Sequence, residues 1–186
     1  MLQARTQSPA TSVALRIVLV LTGSALMYVG AKLAINIGIV PITGQTLALP
    51  IVVALLGTRL GTAAVATYVI EGALGLPVFA HGASTAALLG PTGGYLWAMP
   101  VAAAIVGIAY DAGFGADAMR RFAAIFLSTA FVILAGAVWL QIFTGSFQAA
   151  FAMGVVPFII GDLAKCAIAS AIPANVWPRI ADARKV

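Results

Sequence analysis

The chain has 186 residues, of which 62% are hydrophobic and 8% charged, and its formal net charge is +5. Soluble domains carry about 25% charged residues, and a fold of this size exposes too much surface to hide so many apolar side chains. These values exclude a water-soluble globular protein and point to one membrane-embedded domain.

Residues 1–12 are polar and are expected to form a cytoplasmic tail. The apolar stretch after Arg5 and Arg16 is too long for a signal-peptide core and lacks a clear cleavage site, so it is expected to stay in place. The first span is expected over 13–35, where Gly23, Gly30 and Ala34 are small enough for another helix to approach closely. A short polar stretch, VPITGQT at 40–46, leads into a second span over 41–58, which Pro50 interrupts. Arg59 and Gly61 mark a tight turn before a third span over 61–79, loosened at its far end by Gly72, Gly75 and Pro77. Residues 80–94 read as a long loop with a helical turn inside it. The fourth span is expected over 95–110, followed by the most charged internal stretch, 111–121. The fifth covers 122–143, residues 144–148 turn, and the sixth covers 149–173 with Pro157 in its first half. Residues 176–186 form a second cytoplasmic tail, which leaves 13–175 as the transmembrane domain. The expected fold is all-α, an integral membrane bundle of six transmembrane helices.

Charge gives an independent reading of topology. With six spans, Arg59, Arg120, Arg121, Arg179, Arg184 and Lys185 fall on one side, and the loops near 36–40, 80–94 and 144–148 hold no Lys or Arg. Basic short loops mark the cytoplasmic face, so both termini are expected there, in a multi-pass protein of the cell membrane. Trp97 and Trp139 then fall near the outer interface and Trp177 near the inner one, levels that tryptophan favours. The same distribution explains the basic excess without nucleic acid, whose binding needs a basic patch facing water.

Asp162 and Lys165 stand inside the last span, three residues apart and so on one helix face. Charges in a membrane are costly unless paired or hydrated, and they usually face the bundle interior. The pair reads either as a self-neutralising structural element or as a polar site offering a solute an acceptor and a donor, which suits a ligand with urea-like edges and a carboxylate. Gly161 before it would let a ligand approach the backbone. Glu71 is expected to pair with Lys32, which by itself could instead snorkel to the interface. His81 is the sole histidine and Cys166 the sole cysteine; they lie far apart, so no transition-metal site and no disulfide framework are expected. Cys166 reads as packing. GPTGG at 90–94 lacks the Walker spacing and reads as a turn or lid over a cavity. Tyr95 is either an interface anchor or a ligand contact by stacking or hydrogen bonding. Thr43, Gln45 and Thr46 add polar groups at the same level. No catalytic residues are expected.

The segments VPITGQTLALP, EGALGLPVF, LLGPTGGYLWAMP and PFIIGDLAK, in this order and spacing across roughly residues 25–175, resemble the BioY family, the biotin-capturing S components of energy-coupling-factor (ECF) transporters. The resemblance implies a six-helix S-component-like fold and high-affinity capture of extracellular biotin for ATP-driven import. It implies that Asp162 accepts a ureido N–H, that Lys165 donates to the ureido oxygen or pairs with the carboxylate, and that the His81 loop and the GPTGGY segment close over the site. With Tyr95, Gln45 and Thr43, these make up the expected substrate-binding residues. The implied partners are a membrane coupling subunit and paired ABC-type ATPases, which alone would use ATP; a member working without them would do so as a homo-oligomer. No covalently bound cofactor and no enzymatic activity are implied. The alternatives are a membrane structural or assembly protein without its own solute, a membrane enzyme acting on lipid, and a transporter for another small vitamin-like carboxylate.

Overall fold

A backbone crossing hydrocarbon must satisfy its own polar groups, and helices do so within one segment. The computed structural model describes residues 9–174. Of the expected tails at 1–12 and 176–186, residues 1–8 and 176–186, with Trp177, Arg179, Arg184 and Lys185, lie outside the described residues, and 9–12 belong to the first helix. The described chain runs α1 (Pro9–Lys32), β1 (Ala34–Ile35), β2 (Ile42–Thr43), α2 (Gln45–Ala73), a 3-10 turn (Ala80–Gly82), α3 (Thr85–Leu89), α4 (Gly93–Ala109), a π-turn (Tyr110–Phe114), α5 (Ala118–Thr144), α6 (Phe147–Gly154), a 3-10 turn (Val156–Phe158) and α7 (Ile159–Ser170).

Five helical stretches are long and apolar enough to cross a membrane, and the 29-residue α2 is one of them. α2 is not one straight rod. Gly57 has φ 80° and ψ 171°, a region open essentially to glycine alone. A Cβ on Gly61 would lie 2.7 Å from the Cα of Val53, although eight residues of unbroken helix separate their ends by about 12 Å. The chain therefore folds back at Gly57, and 45–56 packs against 58–73. Counted this way the bundle has six packed segments. The reversal falls at Gly57 rather than at Arg59–Gly61, and Gly61 supplies the close approach.

The connection between α1 and α2, expected as a loop near 36–40 and an irregular start to the second span at 41, contains a short strand pair. α1 stops at Lys32, and Ala34–Ile35 pairs antiparallel with Ile42–Thr43. The Gly44 amide then donates to the carbonyls of Gly30 and Leu33, both at 2.9 Å, and closes the end of α1. Gly30 faces Ala48 and Gly44, and Gly23 faces Ala64, Leu56 and Val52. The small residues of the first span thus admit the protein's own α2.

α2 is central, packing on α1, α4 and α7, while α5 packs on α4, α6 and α7. Met27, Val52, Val53, Val65, Leu88, Val106, Ile125 and Leu140 are fully buried between them. Large apolar side chains such as Val18, Leu127, Ile142 and Ile160 point outward, a surface that hydrocarbon tolerates and water does not. The charged stretch 111–121 is a cap: Asp117 accepts from the Arg120 amide at 3.0 Å and opens α5. At the other end Gly145, with φ 77°, closes α5, and Ser146 caps α6. Pro157 divides the last span, so α6 and α7 are joined by a tight turn.

Glu71 does not pair with Lys32. It accepts from the Ser24 hydroxyl at 2.5 Å, while Lys32 donates to the Pro77 carbonyl at 3.4 Å and lies 4.7 Å from the centre of the Tyr28 ring. Ser24 and Lys32 are eight residues apart on α1, about 12 Å along the axis, so the side chain that reaches Glu71 is the hydroxyl and not the ammonium.

Candidate ligand-binding site

A cavity of about 260 Å³ lies at the end of the bundle that carries the 33–44 and 74–92 connections. Thr43, Gln45, His81, Tyr95, Asp162 and Lys165, the six side chains expected to bind a solute, all line it. Thr46 and Thr92 join them, and the remaining wall is mainly apolar, including Phe79, Leu96, Met99, Ile133 and Phe158.

The head of the cavity is set by α7. Pro157 halts the preceding helix, α7 restarts at Ile159, and Asp162 falls in its first turn, where the helix dipole favours a carboxylate. Lys165, one turn on, donates to Asp162 Oδ1 at 2.7 Å, to the Thr43 carbonyl at 2.8 Å and to the Thr46 hydroxyl at 3.1 Å. An ammonium has three N–H donors, and these contacts engage all three. The Thr46 hydroxyl donates in turn to Asp162 Oδ1 at 2.8 Å. Asp162 is 4% exposed, and its Oδ2 has no partner among the described residues. A buried, unpaired carboxylate oxygen is costly. The pair thus presents an acceptor short of one N–H, rather than an acceptor and a free donor in equal measure. On its other side Asp162 borders an apolar crevice walled by Phe126, Leu134 and Leu163.

Gln45 opens α2 and is 3% exposed. Its side-chain oxygen accepts from the Thr43 hydroxyl at 2.9 Å, and its amide nitrogen donates to the Tyr68 hydroxyl at 2.9 Å. Tyr95 turns its hydroxyl away from the cavity, donating to the Gly154 carbonyl at 2.9 Å, and offers the cavity its ring, tilted against Phe158. With its hydroxyl proton taken by the Gly154 carbonyl, Tyr95 has no free donor for a ligand. His81 is exposed at the rim with φ 55°, next to Gly82 with φ 79°. Gly161 does not line the cavity. The glycines of GPTGG serve packing: Gly94 sits against Trp139 and Gly93 against the Leu88 carbonyl. Trp97 and Trp139 donate to the carbonyls of Leu88 and Gly90, at 3.2 and 3.0 Å, and so tie this loop to the helices.

Val132 and Ile133 of α5 and Met99 of α4 carried no signal in the sequence, because an apolar residue in a membrane span does not reveal whether it faces lipid or a cavity. Phe158 carried one, lying beside the helix-breaking Pro157. Tyr68, the polar side chain behind Gln45, was legible only as a tyrosine inside an apolar run.

A membrane-embedded helical bundle enclosing a mostly apolar cavity, with a buried ion pair at its head, is built as a binder of small solutes. The BioY family model matches residues 4–182. A probable biotin transporter BioY of Pyrococcus horikoshii is 40% identical over 146 residues, covering 78% of this chain and 85% of that protein. The biotin transporter BioY of Thermotoga maritima is 36% identical over 155 residues, covering 80% and 88%. The crystal structure of the S-component for biotin from an ECF-type ABC transporter superposes with a TM-score of 0.79 at 25% identity, covering 90% of this chain and 92% of that one. The chain belongs to the BioY family.

Proposed function

We propose that this protein captures biotin from outside the cell and carries it across the membrane as the substrate-binding subunit of an ATP-driven importer. The observation that carries this reading is the buried Asp162–Lys165 pair, whose carboxylate lacks a partner for Oδ2 among the described residues, on the wall of a mainly apolar cavity. Biotin is an apolar bicycle and alkyl chain with a ureido group at one end and a carboxylate at the other. A ureido N–H supplies the donor that Asp162 lacks, while Phe79, Leu96, Met99 and Phe158 enclose the ring and chain. Lys165 holds Asp162 in place, and it reaches the ureido oxygen by giving up its longest contact, the one to Thr46 at 3.1 Å. With the ureido group at α7, the carboxylate points to the rim, where His81 stands.

The relatives named as biotin transporters and the likeness to an S-component of an ECF-type ABC transporter support the assignment. ATP hydrolysis falls to paired ABC-type ATPases joined through a membrane coupling subunit, since the sequence has no Walker motif. The protein is placed in the cell membrane with both termini cytoplasmic and the cavity facing outward, because the Lys- and Arg-free loops adjoin the cavity.

Calorimetric titration of biotin into monodisperse, detergent-purified protein tests this reading. Saturable one-to-one binding, lost on replacing biotin with a derivative whose ureido nitrogens are blocked, is expected. Absence of binding at millimolar biotin sinks the proposal.

A further inference from the structure

We infer that Tyr68 is a positioning residue that latches the loop over the cavity to the floor of the binding site, an inference that rests on the biotin-binding reading above. Tyr68 lines no part of the cavity and has no exposure to its surroundings. Its hydroxyl nonetheless joins two segments that do line it. It accepts from the Gln45 amide nitrogen at 2.9 Å and donates to the Val78 carbonyl at 3.2 Å. Val78 directly precedes Phe79, Ala80 and His81, all on the cavity wall.

The hydrogen bonds form a directed series. Lys165 donates to the Thr43 carbonyl, the Thr43 hydroxyl to Gln45, the Gln45 amide to Tyr68, and Tyr68 to Val78. The tyrosine hydroxyl gives its one proton to the Val78 carbonyl and so can only accept from Gln45, which turns the Gln45 amide nitrogen towards Tyr68 and its oxygen towards the Thr43 hydroxyl. Packing supports the same junction. The Phe79 ring meets the Tyr68 ring edge-on, with centroids 5.3 Å apart, and fills a notch left by Gly72, where a Cβ would overlap it. Within the 74–84 segment Gly75, His81 and Gly82 all have positive φ, and His81 is the one non-glycine residue with that geometry among those described. The tyrosine hydroxyl is thus the side-chain polar tie by which the α7 ion pair, through Thr43 and Gln45, reaches the loop above the ligand. Loss of the tie should speed ligand release while leaving the ligand's own contacts in place.

The test compares biotin dissociation from the parent chain, Tyr68→Phe, Gln45→Ala and the double variant, each purified whole. Removing one hydrogen bond of this kind corresponds to roughly tenfold faster release, and the double variant should release no faster than Gln45→Ala alone. Parent-like release from Tyr68→Phe, even with lowered thermal stability, marks the hydroxyl as a packing strut and overturns the inference. Additive effects in the double variant also overturn it, since Tyr68 would then not act through Gln45. A parent chain that takes up no biotin overturns both this inference and the function beneath it, whereas a binding parent with unchanged variant kinetics overturns the inference alone. If Tyr68→Phe fails to fold, hydrogen exchange on the unaltered chain decides: biotin should slow exchange in 43–47 and 76–84 together, and protection of one without the other rejects the latch.

Discussion

Lys165 satisfies three acceptors at once, and Asp162 keeps one oxygen with no partner among the described residues. That asymmetry gives the two residues different roles. Asp162→Ala removes the proposed acceptor for the ligand and leaves a buried ammonium with two neutral partners. Lys165→Ala leaves a buried carboxylate without its counter-ion. Loss of a charge-assisted contact amounts to about 1.5–3 kcal/mol, so biotin affinity should fall by roughly tenfold or more in each. Calorimetry with a thermal melt recorded alongside separates this from a purely structural pair, which would lower stability and leave affinity intact in the folded fraction. Exchanging the two charges keeps a pair but moves the acceptor, and the exchanged protein should not bind. The pair could be read from the sequence because a charge in an apolar span has few reasons to be there. Its three-way anchoring could not, because Thr43 and Thr46 lie well over 100 residues away from it along the chain.

Among the elements, α2 depends most on one position. Gly57 adopts a conformation closed to residues with a Cβ, so Gly57→Ala should destabilise the fold by about 1–3 kcal/mol, seen as a lower melting temperature without loss of the biotin site in the protein that folds. A melt unchanged from the parent would show that the reversal is not strained by a side chain. A second expectation concerns α5 and α6. Gly136 lies under the Tyr95 ring and Gly154 beside its hydroxyl, with no room for a Cβ at either. Gly136→Ala should overpack this contact by about 1–3 kcal/mol, and because the ring it displaces forms part of the cavity wall, affinity should fall as well as stability. The turn at Gly145 was legible from TGSFQ at 144–148, whereas Pro157 was expected inside one span and the reversal at Gly57 was expected two residues too late, because proline and glycine also occur within helices, as Pro50 and Pro100 do. The two-residue strands at 34–35 and 42–43 were not legible, since so short a pairing depends on what the chain meets in space rather than on alternation.

For the whole molecule, the distribution of basic residues makes a claim about sidedness. In a Cys166→Ala background, single cysteines at Ser84 and Ala118 should react with a membrane-impermeant reagent from opposite faces of intact cells and inverted vesicles. Labelling from one face for both would end the six-segment arrangement. The purified chain should also bind biotin without hydrolysing ATP, and hydrolysis that persists through further purification would place an activity in this chain that its sequence gives no site for.

The fold-back at Gly57 reaches beyond the finished structure to how the chain enters the bilayer. The 12 residues of 45–56 make a rod of about 18 Å, with Pro50 inside it, well short of a hydrocarbon layer of about 30 Å. Such a segment cannot be threaded and held alone; it must wait for 58–73 and enter with it as a hairpin whose two arms already touch at Val53 and Gly61. Gln45, at the start of the short arm, is then drawn into the membrane by its partner arm. One wall of the proposed biotin site is therefore delivered to the bilayer as half of a pair, and in a chain ended just past Gly57, α1 should span the membrane while 45–56 stays outside it until the second arm is present.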